Sequence, residues 1–180
     1  MSAPPALRTA RLVLDGFAQS DAPELQRLAG AREIAATTLA IPHPYLLEHA
    51  QSWIDKQNSG TLEKSVNFAI RLAPTNTLIG SVGLKEIDRT RAQAELGFWI
   101  GVPWWGQGYA REAARSVIQY GFETLELNRI YAHHMTRNPA SGRVLSAAGM
   151  RREGLLPKGV LKWGIEEDVV LYAVMRDDWI

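Results

Sequence analysis

Cysteine is absent from all 180 residues of this chain. Its absence removes disulfides, thiolate nucleophiles and cysteine-based metal sites together. It fits a reducing compartment, although exported proteins share it too. An excess of charge is also missing. Twenty Lys and Arg against nineteen Asp and Glu leave a formal net charge of +1, so no overall field gathers nucleic acid or an acidic membrane. No apolar run approaches the ~20 residues that a membrane helix needs. The Pro/Ala-rich start, residues 1–7, lacks the basic segment and long apolar core of a secretory signal. The expectation is a cytoplasmic chain with no membrane and no nucleic-acid partner. No repeat, low-complexity tract or composition shift marks a second domain, so residues 1–180 are read as one domain. Six tryptophans are scattered without interleaved basic residues, which suits core and pocket lining better than base stacking. His133 and His134 are adjacent and point to opposite sides of a strand. With no ligand spacing elsewhere, no metal is expected.

Hydrophobic periodicity is plentiful. Residues 11–17 open as a short strand. Ser20 or Asp21 then caps a helix with Pro23 in its first turn and Leu25, Leu28 and Ala29 on its apolar face. Residues 37–45 are irregular, broken by Pro42 and Pro44. Residues 46–58 form a second helix with Ala50, Trp53 and Ile54 on one stripe. Strands at 67–72 and 78–84 make a hairpin about the turn 74–77. Residues 94–100 are a strand. A glycine loop at 103–108 leads into an amphipathic helix over 110–125. A strand at 129–135 and a helix at 140–148 follow, the helix ending at Gly149. A Lys/Gly-rich loop, mildly basic and solvated at 158–162, precedes a closing strand at 167–176. The order is α+β with a largely antiparallel sheet, and the strand–helix–strand unit over 94–135 allows one parallel pair.

The segment that carries chemistry is Trp104-Trp105-Gly106-Gln107-Gly108-Tyr109-Ala110-Arg111-Glu112-Ala113. It follows a strand and opens a helix. Two glycines let the backbone turn tightly, and the first N–H groups of the helix sit at the positive end of its dipole. Together these favour an anion, phosphate above all. A Walker loop would need Lys-Ser/Thr after the last glycine, where Tyr109-Ala110 stands. A dinucleotide fingerprint would need Gly or Ala where Arg111 stands. A plain glycine-rich turn is the alternative.

The loop resembles the pyrophosphate-binding motif of the GCN5-related N-acetyltransferase (GNAT) superfamily, with Gly106, Gly108 and Ala110 at its small-residue positions. More narrowly the chain is similar to the ribosomal-protein-type, RimJ/RimL-like branch. The similarity runs nearly end to end: Arg11-Leu12-Val13-Leu14, Pro42-His43-Pro44-Tyr45, Leu78-Ile79-Gly80, Gly83-Leu84, Ala94-Glu95-Leu96-Gly97-Phe98-Trp99-Ile100, Asn128-Arg129-Ile130, Asn138-Pro139-Ala140-Ser141 and Gly149-Met150-Arg151-Arg152-Glu153-Gly154. Each piece is weak alone, and their joint order is specific.

The resemblance implies a GNAT fold: a central, mostly antiparallel sheet that splays between its fourth and fifth strands (94–100 and 129–135), with acetyl-CoA as cosubstrate in the gap. Pantetheine amides would pair with the edge at Phe98, Trp99 and Ile100. Pyrophosphate would rest on the N–H groups of Trp105, Gly106, Gln107, Gly108, Tyr109 and Ala110, with no phosphate contact from the Trp105 side chain. A main-chain N–H near Trp99 or Ile100 would polarise the thioester. Glu95, sharing a strand face with Gly97 and Trp99, is the candidate base. A cross-strand ion pair with Lys or Arg is its alternative. The tyrosine many members use as proton donor is replaced by Leu145. Asn138 would instead hold the pantetheine arm, and Ser141 would stand near the sulfur, with ordinary helix capping as its alternative. The acceptor pocket would form from 37–45 and 155–163, shaped by Tyr45, Trp99 and Trp163. The expected activity is acetyl transfer to a primary amine, on a protein N-terminus or a small molecule, by direct attack, with a homodimer left open. A catalytically inactive CoA-binding module is the competing reading, and the presence of Glu95, Asn138 and Ser141 weighs against it.

Overall fold

A computed structural model describes residues 4–59 and 64–179. Of the N-terminal segment read above, residues 1–3 lie outside these. The chain builds eight strands in one sheet. They are β1 (Leu7–Arg8), β2 (Leu12–Asp15), β3 (Val66–Leu72), β4 (Leu78–Asp88), β5 (Gln93–Ile100), β6 (Arg129–Met135), β7 (Arg151–Lys162) and β8 (Ile165–Met175). Their spatial order is β1-β2-β3-β4-β5-β6-β8-β7. Helices α1 (Ala22–Ala29), α2 (Arg32–Thr37) and α3 (Leu47–Asn58) fall between β2 and β3. Helix α4 (Tyr109–Glu123) links β5 to β6, and α5 (Pro139–Ala147) follows β6. The fold is α+β and GNAT-like: every neighbouring pair of strands is antiparallel except β5–β6.

Alternation along β5 divides the interior. Ala94, Leu96 and Ile100 join a core with Ala113, Val117 and Ile118 of α4. Trp99 packs on the opposite face against the cluster that holds Leu25, Ala50 and Ile54 of α1 and α3. The period-two strand and the 3.6-period helices therefore bury complementary stripes on both sides of one sheet.

Two elements depart from the sequence reading. Helix α2 occupies six residues before the irregular stretch and buries Ile34 and Ala35. The expected Lys/Gly-rich loop is strand β7, paired with β8 along most of its length. Pro157 and Gly159 argue for a loop locally. At the sheet edge, however, a proline leaves no ladder bond unmade, and the register shift between Leu156 and Val160 absorbs the irregularity. Lys162 is correspondingly not solvated: it is 5% exposed and reaches the Ile41 carbonyl at 3.5 Å.

Candidate active site

The sheet opens between β5 and β6. Their parallel pairing lasts three residues, Gln93↔Arg129, Ala94↔Ile130 and Glu95↔Tyr131, and then ends. Beyond Glu95 one edge of β5 has no strand beside it. Which backbone groups face this gap follows from strand alternation. The Ala92 carbonyl accepts from Asn128 N on the β6 side, whereas Gly101 N donates to Ile79 O on the β4 side. Even-numbered residues of β5 therefore aim their N–H and C=O at the gap. Phe98 and Ile100 do so, and the main chain of Trp99 faces β4, opposite Ser81. The expected set is thus divided: Phe98 and Ile100 offer backbone, and Trp99 offers only its side chain.

The edge runs directly into the glycine turn. Gly106 and Gly108 have φ of +75° and +81°, the left-handed region where glycine carries no Cβ penalty. Gly108 is the N-cap of α4. A Cβ at Gly106 would meet nothing within 4 Å, so the loop's concave side is open space. The Trp105 indole N–H donates to the Ile100 carbonyl at 2.6 Å and ties the loop to the end of β5. Arg11 braces the turn from β2's approach. Its Nε and main-chain N donate to Glu112 at 2.7 and 2.9 Å, and its Nη1 donates to the Gln107 carbonyl at 3.0 Å. Thr9 donates to the same carboxylate at 2.6 Å. Burial pushes the Glu112 carboxyl up, but these bonds outweigh it and hold its pKa below the ordinary value. The result is a braced turn at the head of α4, whose first N–H groups have no partner within the helix.

On the other face lies a cavity of about 430 Å³ between α1, α3, the 37–42 segment and the β5–β6 gap. Glu95, Trp99, Tyr45, Ser141 and Leu145 all contribute to its wall, as do both His133 and His134. Residues 155–163 do not. Trp163 instead packs beside His43, ring centroids 6.3 Å apart, and remains 48% exposed.

Glu95 is 12% exposed at its side chain, and the cross-strand ion pair read as its alternative role is formed. Lys85 Nζ lies 3.0 Å from Oε1, across the β4–β5 register that pairs these residues. His133 Nδ1 lies 3.1 Å from the same oxygen. Burial pushes the carboxyl up. The His133 hydrogen bond and the Lys85 charge outweigh burial and hold the pKa below the usual carboxylate range. Glu95 is therefore an ionised group facing the cavity at neutral pH. Neither partner was legible beforehand: the pairing with Lys85 depends on a β4–β5 register interrupted by an irregularity between Lys85 and Asp88, and His133 arrives through a crossover.

Asn138 and Ser141 meet at the start of α5. Asn138 Nδ2 donates to Ser141 Oγ at 2.9 Å, and neither side chain caps the helix. Because the hydroxyl accepts from the amide, its own proton is free to point elsewhere. Leu145, where a tyrosine was missed, is 1% exposed in the core. His134 is 8% exposed, its Nδ1–H donates to the Met135 carbonyl at 2.8 Å, and its ring leans on Gly142. Among the described residues no cluster of three metal-ligating side chains exists, and no helix is long and apolar enough to cross a membrane.

Comparison with known proteins agrees with this geometry. Residues 11–151 match the profile of the acetyltransferase (GNAT) domain. The chain is 30% identical over 173 residues to the uncharacterized N-acetyltransferase YoaA of Bacillus subtilis, covering 96% of this chain and 97% of that one. It is 37% identical over 103 residues to the ribosomal protein uS5 alanine N-acetyltransferase of Escherichia coli, covering 57% and 53%. Among solved structures, the spermidine N-acetyltransferase of Vibrio cholerae in complex with CoA and spermine superposes with a TM-score of 0.81 at 24% identity, covering 95% of this chain and 99% of that one.

Proposed function

This chain belongs to the GNAT family of N-acetyltransferases, and we propose that it transfers acetyl from acetyl-CoA to a primary amine by direct attack. The observation that carries this reading is the open edge of β5, which leads through a single 3-10 turn, Val102–Trp104, into the two-glycine turn at the head of α4. Phe98 and Ile100 present amide groups spaced for an extended pantetheine arm, added as a strand to the sheet edge. The N–H groups of Gly106, Gln107, Gly108, Tyr109 and Ala110 hold the pyrophosphate, whereas that of Trp105, also expected to do so, donates to the Val102 carbonyl at 3.2 Å.

Acetyl-CoA supplies the acyl group as an activated thioester. The N–H of Phe98, at the end of this edge away from the glycine turn, polarises its carbonyl oxygen, while that of Ile100 pairs with the arm. The acceptor nitrogen bonds to the carbonyl carbon as the carbon–sulfur bond breaks. The nitrogen's surplus proton passes to Glu95, directly or through water. Both recorded partners of Glu95 engage Oε1, which leaves Oε2 for this exchange. The departing sulfur takes a proton from solvent water relayed through the Ser141 hydroxyl, which Asn138 orients and which regains its own proton from that water, and the N-terminus of α5 favours the negative charge beforehand. Asn138 also bounds the pantetheine arm.

Calorimetry with CoA and amine-dependent release of free thiol test the reading. CoA binding with thiol release accelerated by a primary amine is expected. Binding without any amine-dependent release would turn the assignment into that of a CoA-binding module, and no binding at all would remove the loop from the site.

A further inference from the structure

The charges around the cavity restrict what can enter it. Six described wall residues carry a carboxylate, an ammonium or an imidazole: His49, Lys56, Lys85, Glu95, His133 and His134. Glu95 is the single acid among them, and one of its oxygens is already shared by Lys85 and His133. Two further cations back the 36–41 segment from behind. Arg137 Nη2 donates to Ala36 O at 2.6 Å, while its Nε is matched by Glu167 at 2.7 Å. Lys162 reaches Ile41 O, and burial, followed by the Arg137 charge, pushes its ammonium pKa down. The remaining wall joins apolar and aromatic side chains, among them Leu25, Ile41, Tyr45, Trp53, Phe98 and Trp99, to uncharged polar ones such as Thr38, Ser52 and Asn67.

We propose that the acceptor is a monoamine: a primary amine on an apolar body whose remaining polar groups are neutral or anionic, with diamines and polyamines selected against. This rests on the acetyl-transfer reading above. One ammonium can be met by Glu95. A second, on the same short molecule, would lie against aromatic rings and lysines with no second carboxylate among the described wall residues to pair it. An unpaired charge taken from water into such surroundings binds poorly. An apolar body meets the Trp53, Trp99 and Tyr45 rings instead and gains from leaving water.

Isosteric pairs isolate the second charge. Hexylamine and 1,5-diaminopentane share length and shape and differ only in a terminal methyl against an ammonium. The pair 4-ethylbenzylamine and p-xylylenediamine repeats the comparison on an aromatic body. With acetyl-CoA and thiol release as the readout, kcat/KM is expected to favour each monoamine by ~10-fold or more. Equal or better turnover of the diamines, or turnover of spermidine but neither monoamine, overturns the proposal while leaving acetyl transfer intact. Failure of every amine would instead overturn acetyl transfer itself. A variant tests the cause. His49 is the third residue of α3, and its ring accepts from Leu46 N at 3.1 Å. Glutamate suits that capping position. His49→Glu therefore adds a carboxylate to the cavity wall without disturbing the helix start. It is expected to shift the diamine-to-monoamine ratio of kcat/KM upward by ~5-fold. An unchanged ratio in a folded variant refutes the charge basis.

Discussion

Replacing Glu95 by glutamine removes one negative charge and almost no volume. Lys85, its ion-pair partner, is 46% exposed, so that pair contributes at most ~1 kcal/mol after solvent screening. The substituted amide keeps an oxygen that can accept from Lys85 and His133. A loss of ~1 kcal/mol moves Tm by only ~2–4 °C in a chain of this size, so the variant stays folded in the assay. The chemical effect is larger. A free alkyl ammonium has a pKa near ~10.4, whereas the Glu95 carboxyl is held below its ordinary ~4.5. Full deprotonation of the ammonium by Glu95 before attack would be uphill by ~8 kcal/mol. Glu95 therefore works as the nitrogen forms its bond to carbon and loses basicity. A base acting at that stage contributes ~10²–10⁴ in rate, or ~3–5 kcal/mol of barrier. Glu95→Gln should lower kcat by that factor at pH 7, with the dissociation constant for CoA unchanged within ~2-fold. The deficit should shrink towards pH 10, where hydroxide takes over removal of the proton that attack leaves on nitrogen. Steady-state kinetics from pH 6 to 10, with calorimetry for CoA, measure all three. Wild-type turnover at neutral pH, or a deficit that does not vary with pH, would refute the role and direct attention to His133 or His134.

Gly108→Asp places a carboxylate and a Cβ at φ +81°, beside the proposed phosphate cradle, and should weaken CoA binding by ~10²-fold or more; unchanged affinity by calorimetry would take the turn out of the site. Ser141→Ala should slow kcat by less than Glu95→Gln does and leave CoA affinity nearly intact. Abolished binding with normal kcat would show that the hydroxyl only positions the cosubstrate. Gly142→Ala gains ~1 kcal/mol of helix propensity but sets a Cβ 2.6 Å from His134 Nε2 and 3.2 Å from Tyr172 Oη. Overpacking of ~1–3 kcal/mol should win and lower Tm by a few degrees, and a raised Tm would contradict this. Asp21, 12% exposed at its side chain, accepts from Arg71 Nη2 and Nη1 at 2.7 and 3.0 Å. Burial raises its pKa, but the Arg71 bonds outweigh this and lower it. Its stabilising contribution is therefore full above the unfolded value near ~3.9 and fades as pH falls through the lower folded value. Asp21→Asn should destabilise the fold by ~1–3 kcal/mol at pH 7 and progressively less below pH 4 in urea titrations, so a difference independent of pH would exclude the linkage.

Local order in the chain sufficed for much of this protein. The alternation in residues 94–100, the helical stripe of Ala113, Val117 and Ile118, and the glycines before α4 each dictate a backbone shape within a few residues, because their physics is short-ranged. For the same reason the phosphate-loop geometry and the face of Glu95 were legible at once. What tertiary structure decided depends on neighbours distant in sequence. Strand β7 exists because an edge position tolerates Pro157 and a register shift, which residues 151–162 cannot announce alone. The brace from Arg11 to Glu112 and Gln107 spans roughly a hundred residues. Trp99 turned its backbone away from the gap because the β4–β5 register, not the sequence of β5, sets which edge each amide faces. The state of Glu95 is likewise a property of Lys85 and His133 together. A side chain's type fixes which proton it can take, but only its packed neighbours set burial and charge, and through them its pKa.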